Sequence, residues 1–340
     1  MASKLRKKLL SLGLVMTLGV GVLAGCSGGG EESEAEKTGS GDKYKIGISQ
    51  IMEHTALDSA RAGFEKALEE NGYKDKVEID YQNAQGDQSV NDTIAQNFVS
   101  QGKDLMLGIA TPSAQSLYNA SKEIPILITA VTDPVDAGLV KSLEKPETNV
   151  SGTTDSMDIG VQFKLLKTLY PEAKKVGILY NTAEANSEVQ VRDAEARAGE
   201  FGLEIVKAGV TGTNDVSQVL DSIIDEIDAV YVPTDNVVVS SLPLIYAKTM
   251  EKKMPIIASE SGQVENGALA TEGLDYEKLG YQTGLMAIRI LEGEKPSEMP
   301  VESLKETTLT VNEDTLKKLG LELPKELADR AVMIGSGSGE

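Results

Sequence analysis

Tryptophan is absent from the 340 residues, histidine and cysteine occur once each, and phenylalanine four times. Each scarcity closes a route to function. One cysteine, Cys26, permits no intramolecular disulfide, and one histidine, His54, leaves no Cys/His set for structural zinc. As a catalytic base His54 would need a nucleophile and an orienting acid, and no such constellation is recognisable. No Gly-x-Gly-x-x-Gly turn is present for a dinucleotide. Gly28-Gly29-Gly30 has no strand before it and no Gly-Lys-Ser/Thr after it, so it is a poor phosphate loop. Basic side chains are also short, 33 against 53 acidic ones for a net charge of −20. Such a surface repels nucleic acid and anionic membrane. With little Trp or Phe, the stacking platforms common in sugar sites are left to tyrosine, which tilts the expectation from sugars toward amino acids. No cofactor, no metal and no nucleic-acid partner are expected.

The first residues set the compartment. Lys4, Arg6, Lys7 and Lys8 form a basic segment, and residues 9–22 form an apolar stretch too short for a comfortable membrane span. Leu23-Ala24-Gly25-Cys26 then looks like a bacterial lipobox, with small residues before a thiol that becomes acylated. Residues 1–25 are accordingly expected to be a lipoprotein signal peptide, and Cys26 the lipidation site. A lipid at Cys26, rather than surface charge, would hold the protein at the cell membrane on its extracytoplasmic face. Residues 26–42 are small and polar without apolar period, a flexible tether, and residues 335–340 form a Gly/Ser tail expected to be disordered. Asn91, Asn119 and Asn149 stand in Asn-x-Ser/Thr triplets, which mean little behind a bacterial leader.

Between these ends lie about 290 residues, room for two ordinary α/β lobes. From residue 43 the pattern alternates strand and helix. Residues 44–49, 77–81, 105–109 and 124–128 read as strands, with helices over 57–70, 90–99 and 113–121 between them. Asn71-Gly72 and Gln101-Gly102 supply helix stops. A second unit repeats the rhythm. Its helices are expected at 161–169, 190–201, 216–227, 237–251 and 276–291, its strands at 175–180, 203–207, 229–232 and 254–258. The two units open alike, Lys45-Ile46-Gly47-Ile48 against Lys175-Val176-Gly177-Ile178, and each ends in a strand with Pro followed by a polar turn. The fold class is therefore α/β, with two doubly wound parallel-sheet lobes and a ligand cleft between them. Lobe 1 is expected over 43–153 with a return segment near 275–300, and lobe 2 over 154–274 with part of 301–330. Crossings are expected near 149–155 and 268–275, and Ser151-Gly152-Thr153-Thr154 suits a hinge better than a core strand.

Ligands of open parallel sheets bind beyond the carboxyl ends of the strands. The loops at those ends carry the candidate site: Gln50, Glu53, His54 and Ala56; Thr111, Ser113 and Ala114; Thr132 and Asp133; Asn181, Asn186 and Ser187; Thr234, Asp235 and Asn236; Ser259 and Glu260; and Asp275. His54-x-Ala56-Leu57-Asp58, Thr111-Pro112-Ser113-Ala114-Gln115 and Thr132-Asp133-Pro134-Val135-x-Ala137-Gly138-Leu139-Val140 resemble the substrate-binding lipoproteins of ABC importers typified by the tryptophan-binding protein. So do Pro233-Thr234-Asp235-Asn236 and Gly273-x-Asp275-Tyr276-x-x-Leu279-Gly280-x-Gln282-Thr283-Gly284. The similarity runs from Cys26 to about Leu321. It implies a type I periplasmic-binding-protein fold, ABC permease transmembrane subunits as partners, and aromatic amino acids as ligands of some members. Thr55 departs from the pattern, where Pro is expected, and changes the rigidity of the first loop.

Residue chemistry supports amino-acid capture. None of the six arginines (Arg6, Arg61, Arg192, Arg197, Arg289, Arg330) lies in a cleft loop. A ligand carboxylate is therefore expected on the N–H groups of Ser113 and Ala114 at a helix start, helped by the Thr111 and Ser113 hydroxyls. An ammonium needs acceptors, chiefly Asp275 with Asp235, and Glu260 and Glu53 behind them. Ser113, Asp235 and Asp275 also suit plain helix caps or turns, and a cap at the cleft mouth can bind as well. A monomer is expected. The alternatives are a ligand-sensing receptor component for a sugar or nucleoside, which neighbouring permease genes would argue against, and an enzyme on the same scaffold, which turnover of nucleotides or esters would reveal. A transcription regulator would need a helix-turn-helix where the export signal stands.

Overall fold

The computed structural model describes residues 43–335. The expected leader 1–25, the Cys26 acylation site, the tether up to residue 42 and the tail from residue 336 lie outside the described residues. The first sheet is built from β1 (Tyr44–Gln50), β2 (Val77–Asn83), β3 (Leu105–Ile109), β4 (Ile126–Val131) and β5 (Val150–Thr154), linked by α1 (Thr55–Glu70), α2 (Gln88–Ser100) and α3 (Thr111–Ala120). All residues of β3, β4 and β5 are buried, as a parallel sheet covered on both faces requires. The segment expected to be a hinge, residues 151–154, is thus the buried strand β5. Ser151 and Thr153 keep their place in the core because their hydroxyls are bonded, Ser151 to the Met299 carbonyl at 2.7 Å and Thr153 to Thr283 at 2.8 Å.

The chain then crosses over residues 155–158 into α4 (Ile159–Leu169), β6 (Lys175–Asn181), α5 (Ala185–Arg197), β7 (Glu204–Val210), α6 (Thr213–Ile223), β8 (Ala229–Val232), α7 (Asn236–Ser240), α8 (Leu242–Glu251), β9 (Ile256–Ala258), α9 (Ser261–Glu265) and β10 (Ala270–Gly273). The single helix expected over 237–251 is two, α7 and α8, parted at Ser241 with a proline in the first turn of α8. Helix α10 (Tyr276–Leu291) and β11 (Glu302–Ser303) return to the first lobe, where β11 pairs with β5. A third crossing, over residues 304–307, leads to β12 (Thr308–Asn312), α11 (Glu313–Leu319), α12 (Lys325–Ala328) and β13 (Val332–Ile334) in the second sheet. The return to the second lobe therefore falls after β11, later than residue 301.

The first sheet has the order β11-β5-β4-β3-β1-β2 and is wholly parallel; the second has the order β13-β12-β10-β9-β8-β6-β7. In the second sheet β12 runs antiparallel to β10. Both sheets share one winding: the first strand lies inside, the second beside it, and the rest add on the other side. Each reverses direction between its first and third strands, and crevices open at such switch points. In β8, Ala229 and Tyr231 join one apolar cluster while Val230 and Val232 join another, the period-two signature of a strand with helices on both faces.

Helices α1 and α10 form the tightest seam of the first lobe. A Cβ on Gly280 would lie 1.8 Å from the Ala60 carbonyl oxygen, and one on Gly63 would lie 1.9 Å from that of Glu277. Only glycine admits this approach. The seam matters for position: α1 begins just after His54, and α10 begins at Tyr276.

Candidate ligand-binding cleft

Carboxyl ends of strands from both sheets meet across a cleft. An inner cavity is lined by His54, Ala56, Leu57, Ala130, Asp155, Asn186, Thr234, Asn236, Val239, Glu260 and Tyr276. An outer one shares Asp155 and Thr234 and adds Thr132, Asp133, Gln162, Gln190, Tyr231 and Ser259 among its walls. Ala130 enters the inner wall because the β4–β5 register slips between Ile128 and Val131, and its backbone sits at φ 56°. A left-handed alanine costs about 1 kcal/mol or more, a strain typical of ligand sites.

The lobes touch directly. The His54 imidazole meets Asn236 at 3.4 Å, Thr132 meets Thr234 hydroxyl to hydroxyl at 3.1 Å, and Arg192 pairs with Asp136 at 3.2 Å. Asn266 of the second lobe donates to Thr55 of the first at 3.4 Å. The cleft is closed.

Behind the lining of the second lobe stands a buried polar network. The Glu184 carboxylate accepts from Asn181 Nδ2 (3.1 Å), Asn186 Nδ2 (3.1 Å), Asn236 Nδ2 (2.6 Å) and the Asn236 backbone N–H (3.2 Å). Asp235, fully buried, accepts from the Asn181 N–H (2.5 Å), the Ser187 hydroxyl (2.7 Å) and the Val238 N–H (2.9 Å). Burial raises the Asp235 pKa, and the neighbouring Glu184 charge pushes the same way. Gln190 braces Thr234 through its hydroxyl (2.7 Å) and its N–H (3.0 Å).

Two acids face the inner cavity. Asp155 is buried at the first crossing, where its Oδ2 accepts from the Tyr276 hydroxyl at 2.5 Å while Oδ1 has no hydrogen-bond partner. Burial raises its pKa, and the Tyr276 hydroxyl offsets part of the rise. Glu260 holds the Gly262 and Gln263 N–H groups at 2.5 and 2.9 Å, and burial pushes its pKa up to about 7. Burial moves His54 in the opposite direction, lowering its pKa against the pull of Asn236 and Asp58.

The residues anticipated from sequence divide three ways. His54, Ala56, Asn186, Thr234, Asn236 and Glu260 line the inner cavity, and Thr132, Asp133 and Ser259 the outer one. Asn181, Ser187 and Asp235 stand behind the wall; three donors of its own lobe hold Asp235, and it lines neither cavity. The rest sit elsewhere. Asp275 caps α10 through the Lys278 N–H at 3.1 Å, with 41% of its side chain exposed. Glu53 is exposed, and Gln50 is held by Asp58 and the Met52 carbonyl. The anion cradle expected at Thr111, Ser113 and Ala114 is buried within the first lobe, where the Ser113 hydroxyl donates to Asn91 at 3.1 Å. Asp155, Tyr276, Leu57, Ala130 and Val239 escaped the sequence reading. Asp155 is the first residue of the first crossing, directly after β5, a position that could have flagged it.

Two sheets of one winding, three crossings and a cleft at the switch points define a two-lobed solute-binding protein with the type I periplasmic-binding-protein architecture. The sequence profile for ABC transporter substrate binding proteins matches residues 45–334, and the chain belongs to that family. It is 51% identical over 321 residues to a tyrosine-binding protein of Clostridioides difficile, spanning 93% of each chain. Among solved structures, an ABC domain in complex with L-Trp from Streptococcus pneumonia superposes with a TM-score of 0.84 at 37% identity, covering 86% of this chain and 99% of that one. The ligand-free, open structure of a substrate-binding protein with adhesive properties from Clostridium difficile is 51% identical over the same shares but reaches only 0.67. The better overlap at lower identity is with the tryptophan complex, in keeping with the cross-cleft contacts. Among the described residues, no helix is long and apolar enough to cross a membrane.

Proposed function

We propose that this chain captures an aromatic amino acid in the inner cavity and presents it to the permease of an ABC importer, as a monomer tethered outside the membrane by a lipid on Cys26. The observation that carries the ligand class is Asp155, a buried acid with one oxygen unpartnered, beside a second buried acid, Glu260, in an otherwise largely apolar cavity. A buried carboxylate is costly without a counter-charge. An ammonium supplies that charge and donates to the free Oδ1, while Ala56, Leu57, Ala130 and Val239 suit a ring. A neutral sugar has hydroxyls for the acceptors but no charge for the acids. Ligands named for the similar proteins, tyrosine and tryptophan, belong to this class.

The test is a thermal-shift screen of the twenty amino acids with nucleosides and sugars, followed by calorimetry. A ligand at a hundred times its Kd adds about 2.7 kcal/mol of stability, a shift of several degrees. Aromatic L-amino acids should produce it. A shift with sugars or nucleosides alone would overturn the assignment. For the anchor, Cys26→Ala should release the protein from the membrane fraction or leave it unprocessed; unchanged retention would contradict lipidation.

A further inference from the structure

Glu184 dictates which way two asparagines face. The Asn186 and Asn236 side-chain N–H groups both donate to its carboxylate, and Asn186 Nδ2 also reaches the Thr234 carbonyl at 2.8 Å. Both amide oxygens therefore turn away from Glu184. That of Asn236 meets His54 Nε2 at 3.4 Å. An amide oxygen cannot donate, so Nε2 carries the ring proton, and the neutral imidazole leaves Nδ1 as a bare acceptor. Burial keeps the ring neutral by lowering its pKa.

His54 Nδ1 and Asn186 Oδ1 are buried, without partners, and belong to residues that line the inner cavity. Both are uncharged acceptors. A cation is better matched by Asp155 and Glu260, whose carboxyl groups supply charge. What complements His54 and Asn186 is a neutral group that donates. We propose that His54 and Asn186 read the side-chain end of the ligand, selecting aromatic amino acids whose ring bears an O–H or N–H donor over those that bear none. This rests on the function proposed above, with the ligand ammonium at the acids. Phenylalanine would fill the same space yet leave both acceptors buried and dry, and sites built around a hydrogen bond discriminate strongly against the ligand lacking it.

Calorimetry with L-tyrosine, L-tryptophan, 4-amino-L-phenylalanine and L-phenylalanine tests this on the unaltered protein. The first three should bind at least about tenfold more tightly than phenylalanine. His54→Leu, checked for folding by its thermal transition, should weaken the three donors' binding by a similar factor and leave phenylalanine unchanged or improved. Equal affinity for phenylalanine and tyrosine overturns the selectivity while sparing the amino-acid site. Failure of all four to bind overturns both.

Discussion

The first lobe meets the ligand cavity with Ala56, Leu57, Ala130 and one polar ring, His54, whereas the second meets it with Asn186, Thr234, Asn236 and Glu260 beside one apolar residue, Val239. The apolar wall is positioned by helix packing, since α1 is pinned to α10 where Gly63 and Gly280 let backbones touch. The polar wall is positioned by hydrogen bonds, since Glu184 and Gln190 brace each amide and hydroxyl from behind. Shape comes mostly from one side and polarity mostly from the other, with His54 and Val239 as the exceptions and Asp155 and Tyr276 at the crossings between them. Closing the lobes brings the two together, so ligand contacts on both walls favour the closed state.

Breaking the apolar side through its seam should have the largest effect. Gly280→Val forces a side chain into the Ala60 carbonyl, whose oxygen lies 1.8 Å from where a Cβ must go. A loss above about 4 kcal/mol is expected. Denaturant unfolding, or failure to accumulate soluble protein, checks it; near-native stability would mean that the seam relaxes. Next comes the charged end. Asp155→Asn removes the counter-charge and should weaken amino-acid binding by roughly a hundredfold, about 2.7 kcal/mol. Its ligand-free unfolding midpoint should not fall at neutral pH, because burial already disfavours the ionised acid.

The pH dependence sharpens the contrast between carboxylates and neutral acceptors. Glu260, pushed up to about 7, is partly protonated in the ligand-free protein near neutrality, and an ammonium favours its ionised form. Affinity should therefore level off above about pH 7 and weaken as pH falls below it, by up to tenfold per unit for one proton released. Asp155 acts in the same direction. Glu260→Gln should flatten its part of the profile. In the ligand-free protein the sign reverses. A folded pKa above the unfolded 4.5 gives a stabilising contribution that is complete below that value and lost as pH rises through about 7. Smallest is Asp275→Ala, which should cost about 0.5–1 kcal/mol of stability through the lost cap and change affinity less than twofold. A tenfold loss of affinity would return Asp275 to the site.

The architecture was legible because strand and helix periods, two similar openings and the rule of carboxyl-end loops are local signals. They located nine residues that line one cavity or the other. They could not say which acid faces inward. Asp235 and Asp275 occupy loops as promising as any, yet Asp235 is buried behind the cavity wall and Asp275 sits part-exposed outside it, whereas Glu260, which caps α9, lines the cavity. Asp155 lies in a crossing segment whose polar residues read as hinge. Polar β5 looked unlike a core strand because its hydroxyl partners, Met299 and Thr283, are far away in sequence. The network around Glu184 is likewise a product of tertiary proximity, joining residues 181–190 to 234–236.

A crystal structure of the complex with L-tyrosine tests the account most directly. The account places the ammonium within hydrogen-bonding distance of Asp155 Oδ1 and beside Glu260, the ring against Leu57 and Val239, and the phenol hydroxyl on His54 Nδ1 or Asn186 Oδ1. An ammonium seated on Asp275 or Asp235, or a ligand lying the other way round with its ring end at Asp155, would contradict it.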